Sequence, residues 1–222
     1  MFGMTSEELV LGVILVGVFL LVAFPIHEFA HAYAAYRLGD GTAKMFGRLS
    51  LNPAVHFDPL GGLLLIITVL SAVVSGTGMI FGYAKPTPVN PNNLRDRRNG
   101  EVIVALAGPA SNLVMAVIGG VIFRIVFASS ADLPPLVYQA LYLFVQINIV
   151  LAVFNMIPVP PLDGSALLFR VVSPATAWQI RPVLAQYGNI LLLGLIFAII
   201  LTPLGRALSE LIGGITNLLL GL

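Results

Sequence analysis

Long apolar stretches constrain this chain more than any other feature of its sequence. Five approach the roughly 20 residues that a helix needs to cross a bilayer, and a sixth is shorter. They are 9–36, 60–82, 102–128, 136–158, 187–203 and the shorter 207–222. Charged residues make up 9% of the chain, against about 25% in soluble domains. The sequence therefore predicts an integral membrane protein in contact with the lipid bilayer, and its net charge of +1 gives no reason to expect a nucleic-acid partner.

The stretch 60–82 differs from the others because it is rich in glycine, serine and threonine. A full crossing there would place the basic residues of 85–98 opposite those of 37–48, against the positive-inside rule. We therefore predict that 60–82 folds back to the side it entered from, which is allowed where protein or water covers the backbone. The predicted fold is an all-α polytopic membrane protein of about five to six transmembrane helices, with this re-entrant element between the first and second full spans.

No internal repeat or low-complexity tract divides the sequence, so we predict one integral-membrane domain over 1–222. Its core would be 9–170, followed by C-terminal helices in 187–222. With the fold-back, the first helix ends on the cytoplasmic side, and the helix 136–158 delivers the residues after it to that same side.

His27 and His31 stand four residues apart in His27-Glu28-Phe29-Ala30-His31, at the end of the first apolar stretch. On a helix this spacing puts both imidazoles on one face, where they can bind one ion. In the H-E-x-x-H pattern of zinc proteases, the glutamate, here Glu28, is the general base. An ionisable group at mid-bilayer costs roughly 2.5–3.5 kcal/mol, so three of them in five residues indicate a metal. The alternative is a place at the membrane interface, where they cost little.

A third ligand must be a histidine or a carboxylate, because the chain has no cysteine. Asp163 is the best placed acidic residue, since most others lie near charges or chain ends. It follows three prolines that should break the helix 136–158, and Gly164 permits a sharp turn after it. The alternative is a proline-rich turn that ends in an Asp-Gly cap.

Two further patterns accompany these residues. Asn155, Pro158, Asp163 and Gly164 fit N-x-x-P-x-x-x-x-D-G, and the segment Gly108-Pro109-Ala110-Ser111-Asn112 fits G-P-x-x-N. Together with H-E-x-x-H, they resemble the site-2 protease family of intramembrane zinc metalloproteases, in its compact members without PDZ or CBS domains. The resemblance covers roughly residues 9–170.

This resemblance implies a zinc metalloendopeptidase in which His27, His31 and Asp163 bind one Zn²⁺ per chain. It implies that Glu28 activates a water in the fourth zinc position, and that Asn155 holds the substrate backbone near the metal. It also implies regulated intramembrane proteolysis, the cleavage of a peptide bond in a transmembrane segment of a substrate protein near the cytoplasmic face.

Three features admit more than one role. Asn112 is expected to hydrogen-bond between helices, with a substrate contact as the alternative. His56 is expected to cap a turn at the membrane surface, with support of the metal site or an oxyanion as the alternative. The proline-rich residues 83–94 should be extended, either as a linker or as a strand that pairs with an unwound substrate.

A membrane zinc-binding or zinc-transport protein is the main alternative function, because it too would place histidines and carboxylates inside apolar helices. A transporter usually has several polar residues along a path, whereas this sequence offers one compact cluster. An inactive family member is a second alternative, against which the presence of Glu28 and all three ligands argues. We predict a prokaryotic plasma membrane location, with the active site towards the cytoplasmic side.

Overall fold

The computed structural model describes residues 6–63, 67–68, 85, 87–129 and 133–222. Its helices are α1 (Ser6–Val18), α2 (Phe24–Arg37), α3 (Thr42–Met45), α4 (Pro53–His56), α5 (Arg97–Ala128), α6 (Pro135–Asn155), α7 (Ser165–Val171), α8 (Pro174–Leu201) and α9 (Pro203–Leu220). No strand occurs in the described residues. The predicted all-α class is confirmed.

Four helical segments of the described chain are long and apolar enough to cross a membrane. They are Val10–Arg37, Arg97–Ala128, Pro135–Asn155 and Ala175–Leu201. These segments confirm a polytopic membrane protein, although they are fewer than the five to six spans expected. Most of the predicted re-entrant stretch 60–82 lies outside the described residues, in which 60–63 and 67–68 are helical.

Helix α8 corrects the predicted stretch 187–203, because it begins much earlier, at Pro174. Ser173 accepts a hydrogen bond from the amide of Thr176, and Pro174 occupies the first helical position. A capping serine and a proline at the first position both favour the start of a helix. The helix therefore begins here, although polar residues follow. Pro182 lies inside α8 without ending it, because proline is tolerated in membrane helices.

Helices α1 and α2 form one membrane-length segment that contains a π-turn at Phe19–Ala23. The amide of Phe24 closes this turn on the carbonyl of Phe19, five residues earlier. Pro25 follows with no amide hydrogen to donate, so the regular hydrogen-bond ladder is interrupted at this point. The H-E-x-x-H residues come directly after the interruption, and π-turns often occur beside functional sites.

Helix α5 connects the parts of the bundle, since it packs extensively against both α2 and α6. Small residues allow this close approach: Gly119 faces the ring of Phe144, and Gly120 faces the carbonyl of Leu219. The core between α5, α6 and α9 consists of Ala116, Phe123, Val145, Ile149 and Leu220. The packing of α5 on α2 also positions the candidate site.

Candidate active site

The structure brings His27, His31 and Asp163 together. The Nε2 atoms of the two histidines are 3.0 Å apart, and Asp163 Oδ2 lies 3.2 and 3.3 Å from them. Ligands about 2.05 Å from a tetrahedral zinc ion would be about 3.3 Å from one another, so the spacing is close to that of one shared ion. In the part of the chain that the structure describes, this is the single cluster of three or more such ligands.

Hydrogen bonds behind both imidazoles determine which ring nitrogen carries a proton. His31 Nδ1 lies 2.7 Å from the carbonyl oxygen of Val104, which can only accept, so Nδ1 is the donor. His27 Nδ1 lies 2.6 Å from Asn112 Oδ1 and donates in the same way. We assign these protons from the hydrogen-bond network. In each neutral ring, Nε2 is therefore left with a lone pair directed at the cluster.

The charge distribution of the cluster fits a cation. Asp163 Oδ2 is buried and receives no hydrogen bond from the described residues. Two imidazole lone pairs and a carboxylate oxygen at such short distances repel one another unless a cation lies among them. Two histidines and one carboxylate are a ligand set of catalytic zinc.

Gly108 has no side chain, and the two imidazoles occupy the space that a Cβ atom would fill. A Cβ atom at this position would collide with Nε2 of His31 and lie 2.6 Å from Cε1 of His27. Glycine is therefore required where α5 passes α2. The G-P-x-x-N pattern thus contributes twice here, because Gly108 admits the imidazoles and Asn112, one turn later, contacts His27.

The turn after α6 carries Asp163 to α2. Helix α6 ends at Asn155, before the first of the three prolines, as predicted. The amide of Gly164 donates to the carbonyl of Asn155 at 2.7 Å. A Cβ at Gly164 would overlap the carbonyl of Met156, so a glycine after Asp163 lets the chain turn back onto the end of α6.

Glu28 is buried, and the segment 87–95 holds it from outside α2. The amide and the hydroxyl of Thr87 both donate to Glu28 Oε2, at 3.0 and 2.7 Å. No hydrogen bond from the described residues reaches Oε1. The carboxylate is therefore fixed through one oxygen, and the other can accept a proton.

The segment 87–95 is in turn anchored to the end of α2. The buried carboxylate of Asp40 accepts hydrogen bonds from the amide of Asn90 at 2.7 Å and from the side chain of Asn93 at 3.0 Å. The amide of Arg95 donates to the carbonyl of Leu38 at 3.0 Å. Burial acts to raise the pKa of Asp40, but hydrogen bonds from Thr42, Asn93 and Asn90 outweigh it and lower that pKa.

The described hydrogen bonds of Asn155 and His56 do not involve the three ligand residues. The side-chain amide of Asn155 donates to the carbonyl of Leu151 in its own helix, at 3.0 Å. The ring of His56 is fully buried, and its Nε2 donates to the carbonyl of Ser50 at 2.8 Å. His56 thus stabilises the turn that joins it to Ser50. Asn112 makes the expected hydrogen bonds between helices, to His27 and Asn148.

Sequence reasoning missed two residues that touch the site or its support, Thr87 and Asn148. Asn148 is fully buried in α6 and accepts a hydrogen bond from Asn112 Nδ2 at 2.9 Å. A signal for Asn148 was present, since an amide within an apolar membrane helix is costly without a partner. Thr87 had no such signal, because it lies in a short polar segment among prolines.

Comparison with known proteins places these features in a family. The sequence model of peptidase family M50 matches residues 120–202, which contain Asn155 and Asp163. "Putative zinc metalloprotease YwhC" of Bacillus subtilis is 38% identical over 190 residues, which are 84% of this chain and 80% of that protein. "Putative zinc metalloprotease Rip2" of Mycolicibacterium smegmatis is 30% identical over 204 residues, which are 89% of this chain and 73% of that protein.

A Rip2 protein of the same description, from Mycobacterium tuberculosis, is 28% identical over 178 residues, which are 80% of this chain and 64% of that protein. No solved structure matches the chain. The matches to YwhC and Rip2 extend over most of the sequence, and four apolar helices of membrane-spanning length accompany them. The chain therefore belongs to peptidase family M50, the site-2 proteases, and is an integral-membrane zinc metalloprotease.

Proposed function

We propose that His27, His31 and Asp163 bind one catalytic zinc ion and that Glu28 is the general base of peptide hydrolysis. The observation that carries this proposal is that the three ligand atoms lie within 3.3 Å of one another. Asp163 reaches this point from the turn after α6, and the two histidines share a turn of α2 with Glu28. The donor bonds at both Nδ1 atoms support it, because they leave both Nε2 atoms free for a metal.

The side chains divide the chemistry between them. When bound, zinc polarises a carbonyl group and lowers the pKa of water to about 7. Glu28 takes a proton from the attacking water and returns it to the leaving amine, as a general base that then becomes an acid. Thr87 keeps Oε2 in place, so that proton transfer uses the oxygen that has no other described partner.

The substrate would be a transmembrane segment of another protein. The site lies on a membrane-length helix, and its neighbours are the apolar helix α5 and the turn after α6. A helical substrate must unwind locally, because its peptide bonds are occupied by internal hydrogen bonds. Three basic residues follow the motif closely and, by the positive-inside rule, support a site near the cytoplasmic face: Arg37, Lys44 and Arg48. The relatives come from bacteria, so the membrane would be a prokaryotic plasma membrane, where cleavage would serve regulated intramembrane proteolysis.

Cleavage can be tested by co-expressing the protein with a panel of epitope-tagged, single-span membrane proteins. The wild type should release a shortened tagged fragment from at least one of them, and Glu28→Gln should release none. Glu210→Gln makes the same chemical change at an exposed position in α9 and should cleave like the wild type. Identical fragments from the wild type and Glu28→Gln would show that this mechanism is wrong.

Zinc binding can be tested separately by metal analysis of the purified chain. The wild type should contain about one zinc per chain, and His31→Ala and Asp163→Ala should lose it. His56→Ala is the matched control, because it removes a buried histidine whose described contacts lie outside the cluster. A zinc-free wild type, or equal zinc loss in His56→Ala, would contradict the assignment of ligands.

A further inference from the structure

Two buried amides and an imidazole form a line of hydrogen bonds across three helices. Asn148 in α6 and Asn112 in α5 are both fully buried, and Asn112 Nδ2 donates to Asn148 Oδ1 at 2.9 Å. At the other end of the line, Asn112 Oδ1 lies 2.6 Å from His27 Nδ1 in α2. Buried amides are costly unless their donors and acceptors are paired, so the direction in which each one points is constrained.

A backbone carbonyl sets that direction. The carbonyl oxygen of Phe144 can only accept, so the Asn148 atom 2.9 Å away from it must be Nδ2. Asn148 therefore turns Oδ1 towards Asn112, which must offer its own Nδ2. The remaining acceptor, Asn112 Oδ1, then faces His27 and requires a donor from it. The proton of His27 is thereby held on Nδ1.

We propose that Asn148 is a positioning residue of the zinc site, which fixes the tautomer and ring orientation of His27 through Asn112. This inference rests on the proposed role of His27 as a zinc ligand. Without an acceptor at position 148, the described residues oppose a flip of the Asn112 amide only through a 3.5 Å contact between its Nδ2 and the carbonyl of Ala23. A turned amide would donate to His27 Nδ1 and place the ring proton on Nε2, the atom that faces His31 and Asp163.

The second histidine shows why this dependence is specific to one ligand. His31 Nδ1 donates to the backbone carbonyl of Val104, a partner that no side-chain substitution removes. His27 relies instead on a side chain, whose orientation depends on a second side chain. Outer partners of metal-bound histidines typically change metal affinity by about 10–100-fold when they are lost.

The test is the zinc affinity of the purified full-length chain in detergent, measured by competition with a chromophoric chelator. Asn148→Leu should weaken zinc binding by about tenfold or more. Asn148→Asp keeps an oxygen that accepts from Asn112, and as a neutral acid it offers a hydroxyl that can donate to the Phe144 carbonyl in place of Nδ2. It should therefore bind zinc like the wild type. Thr216→Val is the matched control, because Thr216 is also fully buried but its hydroxyl bonds to Ile212 in its own helix.

A double variant separates a relay from a merely structural effect. Asn112→Leu removes the acceptor at His27 and should itself weaken zinc binding by about 10–100-fold. Adding Asn148→Leu should then cause no further loss, since residues that act in one line are not additive. Three results would each overturn the proposal. They are a double variant whose loss of zinc affinity is the product of the two single losses, wild-type zinc affinity in Asn148→Leu, and a tenfold loss of zinc affinity in Asn148→Asp.

Two other outcomes are also decisive. If Asn148→Leu does not fold, the comparison of Asn148→Asp with Asn112→Leu decides, because the first must keep its zinc and the second must lose affinity. Wild-type protein without zinc would instead overturn the ligand assignment under the proposed function, and this inference with it. A zinc-binding wild type whose affinity is insensitive to position 148 would overturn this inference alone.

Discussion

The histidines and the glutamate of H-E-x-x-H share one turn of α2, but different parts of the molecule hold them. His27 and His31 are bonded from behind by α5, through Asn112 and the carbonyl of Val104, in a buried helix–helix interface. Glu28 is bonded by Thr87, from a segment of 87–95 that forms neither a membrane helix nor a strand.

The two supports differ in what stabilises them. The interface between α2 and α5 extends along both helices, so the setting of the histidines depends on the packing of the whole bundle. The segment 87–95 depends on a few hydrogen bonds, chiefly those of Asp40 and the carbonyl of Leu38. Zinc affinity and the position of the base should therefore respond to different mutations.

Gly108→Ala should have the largest effect, and it should act on the zinc side. The new Cβ must displace both imidazoles, so we expect zinc affinity to fall by about 100-fold or more and cleavage to stop. Chelator competition measures the affinity. Gly194→Ala in α8 is the control, because a Cβ there meets nothing within 4 Å. Zinc affinity of Gly108→Ala close to the wild-type value would rule out the close approach of α5 to α2.

Thr87→Val should act on the base without affecting the metal. It removes the hydroxyl bond to Glu28 Oε2 and keeps the amide bond, so the turnover rate should fall by about tenfold, the equivalent of one hydrogen bond to a charged group. Zinc affinity should not change. Thr87→Ser keeps the hydroxyl and should restore most of the rate, and a serine variant as slow as the valine variant would argue against this role.

Asp40→Asn should have a smaller effect, which again acts on the position of Glu28 and not on zinc binding. The variant replaces one acceptor oxygen by a donor, so one of the bonds to Asn90, Asn93 or Thr42 is lost and the segment 87–95 is less firmly held. We expect cleavage to slow about fivefold, as for the loss of about 1 kcal/mol, with zinc affinity unchanged. Asp96→Asn, at the exposed start of α5, should have no effect on either quantity. Loss of zinc from Asp40→Asn would contradict the separation of the two supports.

Acid should remove the stabilisation that the Asp40 carboxylate gives to the segment 87–95, and we expect this to be the smallest of the four effects. The folded-state pKa of Asp40 lies below its usual value of about 3.9, so its stabilising effect is complete above that pH and disappears as pH falls through the lower pKa. The difference in melting temperature between the wild type and Asp40→Asn in detergent should thus shrink below about pH 4. A difference that stays constant from neutral to acid pH would contradict this account.

The sequence predicted those parts of the site that depend on local geometry. A spacing of four residues places His27 and His31 on one helical face whatever surrounds the helix. The three prolines ended α6 where expected, and the chain then brings Asp163 to the two histidines. Their role as zinc ligands stays a prediction, as do Glu28 as the base and Asn155 as a substrate contact.

The parts that sequence reasoning missed depend on contacts between distant segments. Thr87 meets Glu28 across 59 positions, and Asn148 meets Asn112 across 36. Neither contact follows from helical periodicity, because each requires the relative placement of two separate elements. The early start of α8 has a local cause instead, since Ser173 caps the helix and Pro174 begins it ahead of the apolar stretch 187–203.

The π-turn at Phe19–Ala23 determines which way the motif faces. A π-turn contains one residue more than an α-helical turn, and each α-helical residue rotates the chain by about 100°. The side chains of α2 are therefore rotated by about one residue's angle from the positions that an unbroken helix starting at Ser6 would give them. Counting heptads from α1 would place His27 and His31 towards the wrong neighbour. The direction of the metal-binding face is thus encoded upstream of the motif, in residues that carry no polar side chain.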